Sequence, residues 1–110
     1  MESLPTRRID IAADHPAFAG HFPGRPLLPG VALVAEVLEA AAADRGLKEA
    51  IGASPQIPVV KFLAPVLPGA VLEIAFQVGA RSVLFNVTES GRITASGQFA
   101  RADAAASVAP

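Results

Sequence analysis

The chain of 110 residues has no cysteine, no tryptophan and no tyrosine, a single methionine and a net charge of −1. Without cysteine there are no disulfides, no thiolate metal sites and no thiol nucleophile. The nine Lys and Arg are scattered, so no basic patch of the kind that tracks nucleic acid is present. No uninterrupted apolar segment approaches the ~20 residues of a membrane-spanning helix. The N-terminal "MESLPTRRIDI" has no apolar run of signal-peptide length, and a cytoplasmic protein is the expectation. The two histidines, His15 and His21, have no third ligand near them and make no metal site. Ser82, Ser90 and Ser96 have no adjacent histidine motif, which argues against a serine hydrolase.

What the chain does have is apolar bulk, 52% of its residues. That fits one domain with a real core. A domain this small hides only part of its apolar surface alone, and a second copy would use the surplus. Residues 1–101 are read as that domain, and the Ala-rich stretch 102–110, without caps or periodicity, as a frayed tail.

Along the chain, "RRIDIA" alternates polar and apolar residues and predicts a strand over 7–12. Asp14 to Pro29 carries four prolines and two glycines and reads as an ordered loop. Pro29-Gly30 opens a helix, because the N–H that proline lacks has no partner in a first turn. "VALVAEVLEAAAADRG" continues it, with Gly46 as the stop, and Val31, Val34, Leu38 and Ala41 share a face with Val37 beside them. A connector follows, with room for one extra turn. Strands are then predicted over Val59–Val66, Ala70–Ala80, Ser82–Ser90 and Arg92–Ala102, the last two joined by a Ser90-Gly91 hairpin turn. One helix cannot cover both faces of a sheet. The expectation is α+β: a curved antiparallel sheet wrapped around one long central helix.

At "DHPAFAGHFPGRPLLPGV", Asp14 to Val31, the sequence resembles the hotdog-fold β-hydroxyacyl-acyl-carrier-protein dehydratases. Within that group it is most similar to the small dehydratase-like proteins encoded with aryl polyene and related polyketide pathways. A second stretch, "VKFLAPVLPGAVLEI", Val60 to Ile74, is similar to the family's second strand pair and its Pro-Gly turn. The resemblance implies the hotdog fold and a homodimer with two sites at the subunit boundary. It implies a substrate carried as a thioester on a phosphopantetheine arm, from acyl carrier protein or coenzyme A, and no bound cofactor or metal. The implied reaction removes water from a 3-hydroxyacyl thioester to give the trans-2-enoyl thioester.

That elimination needs a base for the C2 proton, an acid for the departing C3 hydroxyl and a donor to the thioester oxygen. His21 suits the base, since imidazole titrates near neutral pH. An isolated histidine would read as a packed loop residue; inside this motif it reads as catalytic. Phe22 and Pro23 would hold its backbone and exclude water. The free amides at the helix start, Gly30 and Val31, suit the oxygen, being at the positive end of the helix dipole. Gly30 would also let substrate approach closely.

The resemblance places the acid fourteen residues after the motif histidine, which here is Ala35. Glu36 and Glu39 are the candidates. Glu39 lies about 40° from Ala35 around the helix and ~6 Å further along, while Glu36 keeps the height but turns about 100° away. A one-residue shift of the helix start would bring Glu36 into place. Both also read as solvated glutamates opposite the Val34/Leu38 stripe. With neither in place, the chain would be a hotdog thioesterase or a non-catalytic acyl-binding partner subunit. His15, ahead of Pro16, reads as a loop cap. Phe62, Phe76, Phe85 and Phe99 read as core or acyl-tunnel lining.

Overall fold

The computed structural model describes the backbone of residues 2–3, and residues 6–18 and 27–102. His21, Phe22, Pro23 and the tail from 103 onward lie outside the described residues.

Among the described residues, six strands form one antiparallel sheet. β1 (Glu2–Ser3) and β2 (Arg7–Asp10) both pair with β4 (Val71–Val78). Next come β5 (Ser82–Glu89) and β6 (Arg92–Ala100), and β3 (Val59–Phe62) is the far edge. The meander β4–β5–β6 follows directly from period-two patterning. Leu72, Ile74 and Phe76 are buried on β4, and Val83, Phe85 and Val87 on β5. Ser90 and Gly91 turn the β5–β6 hairpin with φ of 52° and 80°, the positive-φ pair that matches the twist of the flanking strands. The Phe85 and Phe99 rings stack at 5.1 Å. Gly97 sits opposite Phe85 on β6. A Cβ on Gly97 would meet that ring and the Val59 carbonyl, each at 2.8 Å, so the glycine admits the phenyl ring and β3 together.

The helices α1 (Gly30–Ala42) and α2 (Arg45–Ile51) pack on the sheet. Leu33, Val37, Ala40 and Ala41 of α1 and Leu47, Ala50 and Ile51 of α2 join the inner face of the sheet in one core. This is the expected α+β hotdog arrangement, with four differences of detail. The strand β1 was not expected. The first helix stops at Ala42, and Gly46 lies inside a second helix, because the Asp44 side chain accepts the Leu47 N–H at 2.9 Å and starts a new one. The buried face of α1 centres on Leu33 and Val37, whereas Val31 is 80% exposed. α1 carries apolar residues nearly all round, so its sequence offers little contrast from which to choose a face.

Finally, β3 ends at Phe62 rather than Val66. Val87 pairs with Ala95 and Thr88 with Ile93, which makes Thr94 an extra, bulged residue of β6. The buried Thr94 hydroxyl donates to the Val87 carbonyl at 3.2 Å. The Thr94 carbonyl in turn accepts the N–H groups of Leu63, at 2.8 Å, and Ala64, at 3.2 Å. Pro65 has no N–H to extend the ladder. The chain leaves the sheet there, and the Val66 carbonyl accepts the Leu28 N–H at 2.8 Å. The bulge thus brings the end of β3 against the segment that enters α1.

Candidate active site

Pro29 precedes α1 in extended conformation, with φ −60° and ψ 147°. Its carbonyl accepts the N–H groups of Ala32 and Leu33, each at 3.0 Å. The first two amides of the helix, Gly30 and Val31, meet no acceptor among the described residues. No acidic side chain occupies the first turn. Two donors at the positive end of a helix therefore stand ready for an electronegative atom.

Beside them is a groove of about 480 Å³ between Leu27, Leu28, Gly30 and Leu33 on one side and Phe62 to Val66 on the other. Its walls are apolar. The side chain nearest Gly30 is Phe62, half exposed on the edge strand: a Cβ on Gly30 would lie 2.7 Å from the ring. The missing side chain thus serves a close approach, as expected, but by the chain's own phenyl ring. Val31, Leu63 and Leu67 are also exposed, which adds apolar surface to this corner.

The structure separates the three helix positions considered for the acid. Ala35 and Glu39 are exposed. Glu36 flanks the buried face, half-buried, and its Oε2 lies 3.0 Å from His15 Nε2. α1 runs unbroken from Gly30 to Ala42. His15 caps its loop as expected, its Nδ1 accepting the Ala17 N–H at 3.0 Å. That Nδ1 accepts places the ring proton on Nε2, so Nε2–H donates to the Glu36 carboxyl. The sequence carried no sign of this pair. A helix wheel marks Glu36 as half-buried but cannot say what it meets 21 residues back along the chain. The flanks of the segment bearing His21 are anchored, with Phe18 before it and Leu28 after it both buried.

The family model for ApeI-like proteins, described as ApeI dehydratase, matches residues 3–98. The chain is 35% identical to the 3-hydroxyacyl-acyl-carrier-protein dehydratase FabZ of Acetivibrio thermocellus, over 90% of this chain and 77% of that protein. It is 37% identical to FabZ of Geobacter metallireducens, over 67% of this chain but only 56% of that protein, little more than half its length. Among solved structures it superimposes on the dehydratase heterocomplex ApeI:P from Xenorhabdus doucetiae with a TM-score of 0.72 and 25% identity, over 86% of this chain and 83% of that one. These matches agree with the motif at Asp14 to Val31 and with the fold built around it, and on them the chain belongs to the ApeI-like dehydratase family, with a dehydratase-like function.

Proposed function

We propose that the chain dehydrates a 3-hydroxyacyl thioester delivered on the phosphopantetheine arm of an acyl carrier protein, with no cofactor or metal. The observation that carries this reading is the pair of amides at the start of α1, without an acceptor among the described residues, beside an apolar groove. The thioester oxygen sits on the Gly30 and Val31 amides, where negative charge develops as C2 loses its proton. The acyl chain lies in the groove under Phe62. His21 takes the C2 proton, and Phe22 and Pro23 fix its loop. Glu36, half-buried and held, gives a proton to the leaving hydroxyl; Glu39, exposed, is a surface residue. Carrier-protein substrates of the FabZ relatives support this substrate class.

The working unit in this reading is a homodimer. The far edge of the sheet, β3, has no further strand beside it among the described residues. Val59, Phe62 and Leu63 expose apolar surface there, and Val31 does so on the adjacent helix. Sedimentation should give a dimer that Leu63→Glu splits.

The test of the reaction is product identity. Purified protein with a 3-hydroxyacyl thioester should give conjugated enoyl thioester, read by absorbance, with the thiol still esterified. Release of free thiol without enoyl product would instead make the protein a thioesterase. A second reading rests on exposed Ala35 and on the heterocomplex among its structural relatives. In it the chain binds acyl groups and a partner subunit supplies the acid. Carrier binding without turnover, with turnover gained in Ala35→Glu, would select that reading.

A further inference from the structure

One pair of side chains, between the loop after β2 and α1, is held more firmly than a surface contact requires. His15 Nε2–H donates to Glu36 Oε2 at 3.0 Å, and the two side chains are only 21% and 26% exposed. The ring is fixed on its other sides as well. The Ala17 amide donates to Nδ1 at 3.0 Å. The Phe18 ring meets it edge-on, centroids 6.0 Å apart and planes at 77°. The backbone is tied twice: His15 N–H donates to the Ala12 carbonyl, and the His15 carbonyl accepts the Phe18 N–H, both at 3.0 Å. A tether between loop and helix would need the side-chain contact alone. Here the amide on Nδ1 also sets the tautomer, and the tautomer decides what the ring presents to Glu36.

We propose that His15 is the positioning residue of Glu36: it binds Oε2, so that the transferable proton of the carboxyl is carried on Oε1. This deepens the dehydratase reading above and rests on it. In the elimination, His21 takes the C2 proton and the C2–H electron pair becomes the new C2–C3 double bond. The C3–O bond breaks with its electron pair on oxygen, which takes the Oε1 proton and leaves as water. Glu36 is then a carboxylate, and the bond from His15 Nε2–H becomes charge-assisted and stronger. The contact is worth more after proton donation than before it, which is the condition for lowering the barrier rather than merely holding the ground state. Between turnovers the proton on His21 returns to Glu36 through solvent.

Two substitutions separate this role from that of a tether. His15→Asn leaves an amide oxygen near the Nδ1 position for the Ala17 N–H but removes the donor to Glu36. His15→Gln extends an amide N–H toward Glu36. With a 3-hydroxyacyl-N-acetylcysteamine thioester as probe, H15N should lower kcat by about tenfold or more, part of the ~10²–10⁴ that a positioned acid contributes. KM and Tm should stay near wild type, and H15Q should recover several-fold. In a Glu36→Ala background, H15N should change nothing further, because its effect passes through that carboxyl. Equal kcat for H15N and wild type, or the same loss in both backgrounds, overturns the positioning role while leaving the dehydratase reading intact. A wild type with no turnover overturns both. If H15N does not fold, ring ¹⁵N shifts of the wild type decide: a protonated Nε2 and a bare Nδ1 support the proposal, and the opposite tautomer overturns it.

Discussion

The β4–β5–β6 meander and the corner where β3 meets the start of α1 are built on opposite terms. In the meander, burial alternates along β4 and β5, the rings of Phe85 and Phe99 stack, and the one buried polar side chain among the described residues, Thr94, has its hydroxyl bonded. At the corner, Val31, Phe62 and Leu63 face outward and two helix amides have no acceptor among the described residues. A region that satisfies its groups internally has little left with which to bind. Stability is concentrated in the first region, and the proposed reading puts the chemistry at the second. Thr94 joins them, since its bulge re-aims β3 toward the helix.

Substitutions in the two regions should therefore fail in different assays. The largest effect is expected in the meander. Phe99→Ala removes a fully buried, stacked ring and should cost about 3–5 kcal/mol of unfolding free energy, read by urea denaturation. Next, on α1, Glu36→Gln keeps an oxygen for His15 Nε2–H but has no proton to give. It should lower kcat about a hundredfold, or about 2.7 kcal/mol in the barrier, with Tm within a degree or two of wild type. Thr94→Val, on the border, leaves the buried Val87 carbonyl short of a donor and should cost about 1–3 kcal/mol. If the bulge does aim β3 at the helix, the same variant also raises KM. The smallest effect belongs far from both: Asp44→Ala removes the cap of α2 and should cost about 1 kcal/mol without touching turnover. A meander variant that lost turnover while keeping its stability would break the division.

Much of the fold was legible in the sequence because it depends on local pattern. Period-two alternation located β4, β5 and β6, Ser90-Gly91 marked their turn, and Pro29-Gly30 marked the start of α1. What was not legible depends on contacts distant in sequence. Asp44 looks like any polar residue late in a helix until its side chain is seen to accept the Leu47 amide. The buried face of α1 was misjudged because Val31, Val34 and Leu38 are as apolar as Leu33 and Val37, and only the sheet chooses between them. Of the candidate site, the helix start was readable from Pro29-Gly30, whereas His15 meets Glu36 only because the loop after β2 folds back onto the helix.

The most direct test compares wild type with His21→Ala in the conversion of a 3-hydroxyacyl thioester to its 2-enoyl product, with Tm measured on the same samples. The account predicts enoyl formation by wild type and a loss of at least about a hundredfold in H21A at unchanged Tm. Equal rates for the two proteins would contradict it.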